Sequence, residues 1–234
     1  MRLVSWNIRD LTGDVQAVQA VLRLVAPDVV CLQEAPRRPG SALRIAALAR
    51  ATGLRHIAGG RGTGGTALLV APQVAVDEVR PLALPVAHWY TRTRGAVIAR
   101  LRASSRASTT PGSVEGLALA CVHLPLHPAD RLDHAHRVRA ELMDRAVGAD
   151  TIVVAGDFNE PPGSPAWQAF SELVSDPAPD AAATFPARSP GGRIDAVLVG
   201  GSLPVSDYGD GGVPERLVHR ASDHWPVVVD LGSR

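Results

Sequence analysis

The stretch TIVVAGDFNEPPGSPAW, residues 151–167, joins a continuous apolar run to a group of polar side chains. Such runs, apolar on both faces, are typical of central strands in a covered sheet. Here the run ends in Asp157, Asn159 and Glu160, and two prolines follow. Burying such groups unpaired costs on the order of several kcal/mol. The stretch therefore predicts a buried strand whose polar end either caps a loop or holds a ligand.

Apolar and periodic segments on both sides of this stretch predict an alternation of strands and helices. Further strands are expected at 3–8, 28–35, 66–71, 95–103, 117–124, 194–200 and 226–231. Helices are expected at 14–25, 41–52 and about 129–147, with a fourth starting at Ser164-Pro165. Asp14 and Ser41 are the expected caps of the first two. Two helices among the early strands and two among the later ones predict the layers helix, sheet, sheet, helix.

Composition and charge exclude several classes of protein. Hydrophobic residues make up 46% and charged residues 20%, with a net charge of +1, so the chain is not disordered. All 24 basic residues are arginine, and they form no clustered stripe. Tight binding to duplex nucleic acid needs such a cluster of cations. We therefore expect no strong grip on long duplex DNA.

Cysteine placement and hydropathy indicate the compartment. Cys31 and Cys121 lie in apolar runs, which predicts buried, reduced thiols. The sequence shows neither an apolar signal region at its start nor an 18-residue apolar stretch elsewhere. We expect a cytoplasmic protein that does not enter a membrane, and no segment of the sequence demands an obligate protein partner.

Polar residues recur at the ends of the predicted strands. These residues are Asn7, Glu34, His123, Asp157, Asn159, Asp195, Asp223 and His224. Because a sheet brings strand ends together, we expect them to converge on one edge. Two carboxylates about 4 Å apart repel by roughly 1 kcal/mol in water and about 4 kcal/mol at an effective dielectric constant of 20. Protonation, salt bridges or a cation must offset this repulsion, and oxygen ligands without cysteine favour Mg²⁺, Mn²⁺ or Ca²⁺.

The motifs SWNI, LQE, VHL, GDFN, RID and SDH occur in this order over residues 3–231. Their order and spacing resemble those of the endonuclease/exonuclease/phosphatase superfamily. The resemblance implies a single domain over 1–234 with a four-layer α/β/β/α sandwich, in which helices flank two packed mixed sheets. It also implies a phosphoester hydrolase that directs water at phosphorus with the help of a divalent cation.

The resemblance also assigns expected roles at the cation. Glu34 is the principal metal ligand, with Asp223 nearby, and Asn7 positions the metal or the phosphate. The expected cofactor is Mg²⁺, with Mn²⁺ as the alternative.

The remaining roles concern proton transfer and the phosphate. Asp157 orients or deprotonates the attacking water, and Asn159 holds that aspartate and the phosphate. His224 contacts the scissile phosphate, while Asp195 fixes its tautomer and raises its basicity. His123 donates to a phosphate oxygen.

Two positions depart from the abasic-site endonucleases of this superfamily. Those enzymes carry a tyrosine where this chain has His123, and an aspartate where it has Arg9. This argues against an abasic-site repair enzyme and leaves open whether Arg9 or Asp10 takes part in the site. The expected substrate is a phosphoester, either a small molecule or a short nucleic acid.

Simpler interpretations remain for several of these residues. Asp157 and Asn159 would cap a turn, and Asp195 would pair with Arg193. His134 is expected on the surface of the third helix. At the level of function, the alternatives are a catalytically silent binding or scaffold protein of the same fold and a sphingomyelinase-like lipid phosphodiesterase. Trp89 and Tyr90 either stack on a base or sugar or pack under a loop.

Overall fold

The computed structural model describes residues 1–86, 93–103 and 116–232, so Trp89, Tyr90 and Arg92 lie outside the described residues. The strands in these ranges are β1 Arg2–Asn7, β2 Val29–Gln33, β3 Arg55–Gly59, β4 Ala67–Val70, β5 Val74–Leu84, β6 Arg94–Ala103, β7 Gly116–His123, β8 Thr151–Asp157, β9 Asp195–Gly201, β10 Val205–Gly209 and β11 Val227–Leu231. The helices are α1 Val15–Val25, α2 Ser41–Ala51, α3 Pro128–Ala146, α4 Pro165–Gln168 and α5 Glu215–Ala221.

The strands form two mixed sheets that pack face to face. One sheet has the order β10-β11-β1-β2-β4-β3 and the other the order β5-β6-β7-β8-β9. Within them β1–β2 and β7–β8 are parallel, and the other pairs are antiparallel. One core lies between the sheets and under α1 and α2, and a second lies between the five-stranded sheet and α3 with α4. The predicted four-layer α/β/β/α sandwich is confirmed.

The cap prediction holds for the first helix and fails for the second. Asp14 Oδ1 accepts from the main-chain nitrogens of Gln16 and Ala17 at 2.8 and 3.2 Å, so it caps α1. In α2, Ser41 is the first helical residue and not the cap, because Gly40 turns the chain with a φ of 83°. Glycine adopts that conformation at little cost.

His134 corrects a further expectation. It is fully buried in α3, and its Nε2 contacts the carbonyl oxygen of Pro85, whereas His136 two residues on is exposed. The face of α3 that carries His134 packs on the five-stranded sheet, so the prediction of a surface histidine was wrong. Both cysteines are buried and free, and no helix in the described part of the chain is long and apolar enough to span a membrane.

Register in the five-stranded sheet decides where the polar strand ends lie. His123 is paired with Asp157 across β7 and β8, and Asp157 is paired with Asp195 across β8 and β9. Gly156 permits the close approach of β7, because a Cβ there would lie 2.0 Å from the carbonyl oxygen of Val122. Three polar side chains from three neighbouring strands are therefore adjacent at one edge.

Candidate active site

The centre of the candidate site is the carboxylate of Asp157, which is 1% exposed. Asn159 donates its main-chain N–H to Asp157 Oδ1 at 3.0 Å, and Asn7 Nδ2 donates to Asp157 Oδ2 at 3.1 Å. His123 Nε2 lies 3.5 Å from the same Oδ2. Both oxygens are thus held in a fixed orientation, by groups from β1, β7 and the loop after β8.

Asn159 reaches this position through an unusual backbone conformation. Its φ is 54°, a left-handed value that asparagine tolerates better than most residues. Its side-chain amide donates to the carbonyl oxygen of Leu124 at 2.8 Å, which joins the loop after β8 to the loop after β7. Within the protein, the main chain of Asn159 holds Asp157, while its side chain ties two loops together.

A second buried pair, His224 and Asp195, lies beside Asp157. His224 Nδ1 is 2.9 Å from Asp195 Oδ2, and Thr184 Oγ1 donates to the same oxygen at 2.6 Å. The other oxygen, Asp195 Oδ1, is buried and has no hydrogen-bond partner among the described residues. Phe185 packs against the His224 ring with the ring centroids 4.6 Å apart. Arg193 pairs with Asp176 instead of Asp195.

Thr184 belongs to the candidate site through its hydrogen bond to Asp195, and the sequence interpretation missed it. It lies in the long connection before β9, and its hydroxyl also accepts from the main-chain nitrogens of Ile194 and Asp195, both at 3.2 Å. The only signal in the sequence was the length of that connection. Thr184 therefore positions Asp195 from outside every motif that the sequence analysis used.

Burial and charge shift two pKa values in this cluster. Burial raises the pKa of Asp157 to about 7, and the charge of Asp195 acts in the same direction; His224 and the hydrogen bonds from Asn7 and Asn159 act against them. Burial lowers the pKa of His224, but the charge and hydrogen bond of Asp195, helped by Asp157 and Asp223, raise it to about 9. At neutral pH the histidine is therefore protonated while Asp157 is close to its titration midpoint.

Glu34 and Asp223 lie at a more exposed part of the strand ends. Both are half-buried, and Glu34 has a φ of 48°. The carbonyl oxygen of Glu34 accepts from the main-chain nitrogen of Asp10 at 2.6 Å, and Asp10 Oδ1 is buried without a hydrogen-bond partner among the described residues. Asp223 Oδ2 is 3.5 Å from Nε of the exposed Arg9. Among the described residues, the Glu34 side chain makes no hydrogen bond or ion pair within the protein, with Arg37 and Arg38 included.

Arg9, Asp10 and Leu11 form a turn with φ values of 48°, 55° and 51°. Arg9 N–H donates to Asn7 Oδ1 at 3.1 Å, so the turn also helps to orient Asn7. Arg94, the first residue of β6, is buried and does not present its charge on the surface.

Comparison with known protein families identifies the family of this chain. Residues 4–224 match the model of the Endonuclease/Exonuclease/phosphatase family. The chain belongs to the endonuclease/exonuclease/phosphatase family. No protein with a curated description matches the sequence.

Solved structures show the same fold at low sequence identity. A mannosyl-6-phosphatase from Bacteroides thetaiotaomicron is 18% identical with a TM-score of 0.78, covering 100% of both chains. TDP2 from D. rerio, complexed with a single-strand DNA product, is 17% identical with a TM-score of 0.73, covering 100% of this chain and 99% of that one. The human Nocturnin catalytic domain with bound sulfate is 16% identical with a TM-score of 0.74, covering 99% and 94%.

Within this family member, one group of side chains is close enough to ligate a cation together. One ligand atom each from Asp157, Asp195 and His224 lies within 4.8 Å of the others, and all three residues are buried. This group differs from the ligand set Glu34, Asp223 and Asn7 that the sequence resemblance implies. The His224–Asp195 hydrogen bond already satisfies part of the buried group, whereas Glu34 and Asp223 are half-buried.

Glu160, which follows Asn159 in the chain, is held by an ion pair and by a main-chain hydrogen bond. It is 7% exposed, its Oε2 accepts from Arg131 Nε at 2.7 Å, and its Oε1 accepts from the main-chain nitrogen of Ala166 at 2.6 Å. Arg131 Nη1 in turn donates to the carbonyl oxygens of Pro125 and Leu126 at 3.0 and 2.8 Å. Glu160 thus connects the loop after β8 to the loop after β7.

Proposed function

We propose that this chain is a divalent-cation-dependent hydrolase of phosphoester bonds, acting as a phosphodiesterase, phosphatase or nuclease through one domain over residues 1–234. The observation that carries the proposal is the environment of Asp157. This carboxylate has a pKa raised to about 7 by burial and by the charge of Asp195, and it is held by Asn7 and Asn159 beside a protonated histidine. Such a pair of groups with shifted pKa values is typical of acid–base chemistry.

The residues around Glu34 fit a hard divalent cation. Glu34, Asp223 and Asn7 offer oxygen ligands without a thiol, a set that suits Mg²⁺ or Mn²⁺. The buried Oδ1 of Asp10 next to Glu34 lacks a hydrogen bond in the described structure and is a further oxygen that a cation would satisfy. When bound, a cation supplies polarisation of the phosphoryl group and stabilises the charge that develops on it.

Asp157 accepts the proton of the attacking water in the proposed reaction. A general base is most effective when its pKa lies near the working pH, and the pKa of Asp157 is about 7. Asn7 and the main chain of Asn159 fix both carboxylate oxygens, so the base meets the water in one orientation. This arrangement lowers the entropic cost of reaching the transition state.

His224 and His123 act on the phosphate oxygens. Asp195 occupies Nδ1 of His224, which directs Nε2 of the protonated ring to a phosphate oxygen. Thr184 holds Asp195 from the opposite side, so the histidine is positioned before substrate arrives. His123, buried next to Asp157, is the second proposed donor. Preorganised donors of this kind stabilise developing negative charge.

The proposed substrates are small phosphoesters or short nucleic acid strands. The structural relatives include a mannosyl-6-phosphatase and a TDP2 complex with single-strand DNA, which support both classes. Arg9, which is exposed with its Nε 3.5 Å from Asp223 Oδ2, is the proposed contact for one phosphate. A silent scaffold protein is disfavoured because Glu34, Asp157, Asp223 and His224 are all retained.

A metal-dependent activity panel tests this function. The substrates are plasmid DNA, single-stranded oligonucleotides, RNA, bis(p-nitrophenyl) phosphate and small phosphomonoesters, each with Mg²⁺, Mn²⁺, Ca²⁺ or excess EDTA. We expect hydrolysis that needs a cation, is lost in EDTA and is restored by Mg²⁺ or Mn²⁺. The Asp157→Asn variant, purified in parallel, excludes contaminating hydrolases. Full activity in EDTA would contradict the proposal.

A further inference from the structure

A cavity of about 560 Å³ lies between the connection that precedes β9 and the start of β11, with β10 and its following turn on another side. Its volume is within the range of about 300–1,000 Å³ that small-molecule sites occupy. Asp157, Asn7 and Glu34 do not line it. The cavity is therefore separate from the carboxylate cluster.

Two of its wall residues also support the His224–Asp195 pair. Thr184 lines the cavity, donates its hydroxyl to Asp195 Oδ2 at 2.6 Å and accepts at its carbonyl oxygen from Trp225 N at 2.9 Å. Trp225 lines the cavity too and directly follows His224 in the chain. The cavity wall is therefore connected to the His224–Asp195 pair by the Thr184 hydrogen bond and by the peptide bond between His224 and Trp225.

The polar atoms of the larger wall side chains are already engaged. Arg193 donates to both carboxylate oxygens of Asp176, at 2.7 and 2.9 Å, and to Tyr208 Oη at 3.1 Å. Tyr208 Oη also accepts from the main-chain nitrogen of Val197 at 3.0 Å, and Trp225 Nε1 donates to the carbonyl oxygen of Ala187 at 2.9 Å. The ring faces of Tyr208 and Trp225 are therefore the main surface that the wall offers to a ligand.

Charge argues against an anionic occupant. The guanidinium of Arg193 is paired with Asp176, and the other acidic or basic residue of the wall is Asp210, an acid. The rest of the wall consists largely of alanine, proline and valine side chains. An uncharged group with a flat or apolar face matches this lining, whereas a second phosphate does not.

We propose that this cavity binds an uncharged ring in the alcohol portion of the substrate, while the phosphate of the same molecule lies at His224. The inference rests on the proposed function and deepens it: the substrate class is a phosphoester whose alcohol carries a ring. Aromatic rings, nucleobases and sugars share the required chemistry, since each presents a broad face to Tyr208 and Trp225.

Cavity-filling variants test the proposal through kinetics. Ala183→Leu adds bulk at a half-buried wall residue, and Gly209→Leu adds it where a Cβ would meet nothing within 4 Å. Ala42→Leu, on the exposed face of α2 and outside the cavity, is the matched control. For phenyl phosphate against methyl phosphate, or the corresponding diesters, we expect the filled variants to raise KM for the ring-bearing ester about tenfold. KM for the ring-less ester and kcat for both should stay within about twofold. Equal effects on both esters, or none, would overturn the proposal.

A binding measurement separates this inference from the proposed function. Phenol, adenosine and glucose are titrated into the wild-type protein, with tryptophan fluorescence and calorimetry as readouts and Trp225→Phe as the reporter control. We expect at least one ring class to bind, and its binding to be lost in the filled variants; the three compounds distinguish aromatic, nucleobase and sugar. Ester hydrolysis without any such binding would refute the cavity proposal and leave the function intact. Ring binding without hydrolysis of any ester would refute the function instead.

Discussion

Asn7 and Asp157 belong to different sheets, and Asn7 Nδ2 donates a hydrogen bond to Asp157 Oδ2 over 3.1 Å. Asn7 ends β1 in the six-stranded sheet, while Asp157 ends β8 in the five-stranded sheet. The hydrogen bond therefore crosses the interface between the two sheets at the candidate active site. Because of this contact, the geometry of the proposed base depends on how the sheets pack against each other.

Substitution of the proposed base and phosphate ligand should abolish most activity. We expect Asp157→Asn and His224→Ala each to lower kcat by roughly 100-fold or more, as for loss of a positioned base or a preorganised donor. The fold should persist, since both groups lie at strand ends. Steady-state kinetics and circular dichroism of the purified variants check this, with exposed Asp180→Asn as the control. A folded variant with near-wild-type kcat would remove its residue from the mechanism.

The raised pKa of Asp157 predicts a pH-dependent stability difference in metal-free protein. The pKa of Asp157 rises from 3.8 to about 7 on folding, so the folded state binds the proton more tightly than the unfolded state. This contribution weakens the fold as pH rises from about 4 to about 7. In EDTA, Asp157→Asn should thus be more stable than wild type at pH 8 and equal to it near pH 4.

His224 contributes with the same sense as Asp157 but in a higher pH window. Its pKa rises from 6.5 to about 9 on folding, so its stabilising contribution is complete below pH 6.5 and disappears as pH rises through 9. Urea unfolding at half-unit steps of pH separates the two windows. A constant difference between wild type and Asp157→Asn across pH 4–8 would show that Asp157 is not strongly perturbed.

Removal of Glu34 should weaken cation binding and relieve repulsion. We expect Glu34→Ala to bind Mg²⁺ more weakly and to melt at the same or a higher temperature in EDTA, because one converging carboxylate is gone. Calorimetric titration and melting curves provide both numbers. Asp195→Asn is the informative comparison, since it alters the buried group Asp157, Asp195 and His224 instead. Unchanged Mg²⁺ affinity in Glu34→Ala, with loss in Asp195→Asn, would move the cation to that buried group.

The Arg131–Glu160 ion pair should support both stability and the alignment of the two site loops. Removing one partner leaves a buried charge, so Glu160→Ala should lose about 3–5 kcal/mol of unfolding free energy. The double variant Arg131→Met, Glu160→Leu should regain much of this stability without regaining kcat, because its side chains cannot hold the carbonyl oxygens of Pro125 and Leu126. Unfolding and kcat measured on all variants test this; full recovery of kcat in the double variant would assign the pair a purely structural role.

Weak binding to duplex DNA follows from the charge distribution. The net charge is +1, and each neutralised phosphate contributes through counterion release, so strong binding needs several clustered cations. We expect Asp157→Asn to show no nanomolar affinity for duplex DNA at about 150 mM salt. Gel-shift titrations over a range of salt concentrations measure this. Nanomolar binding with a steep salt dependence would point to a dedicated DNA nuclease.

The sequence predicted the central strands and the polar residues at their ends because both depend on local patterns. The apolar runs of β1, β2, β7 and β8 are nearly continuous, which favoured strands for these segments. The structure brings Asn7, His123 and Asp157 together as the strand-end argument expected. The catalytic and metal-binding roles of these residues stay predictions.

Other features depend on contacts that no local pattern encodes. The strand β5, with Asp77, Glu78 and Pro81, was not predicted, because its charged residues and proline suit an edge strand more than a central one. Thr184 approaches Asp195 only through the folding of a long connection. His134 looked like a surface residue because its burial depends on which face of α3 packs on the sheet.

The turn at Arg9–Leu11 limits how this part of the chain can evolve. Three successive residues other than glycine adopt left-handed φ values there, at a cost of about 1–2 kcal/mol for each. Glycine would remove much of that cost, but it would also loosen the backbone that orients Asn7 through the N–H of Arg9. Selection for heat tolerance and selection for turnover would thus favour different residues at these three positions. Lineages that adapt to higher temperature should accumulate their stabilising substitutions elsewhere and leave this turn intact.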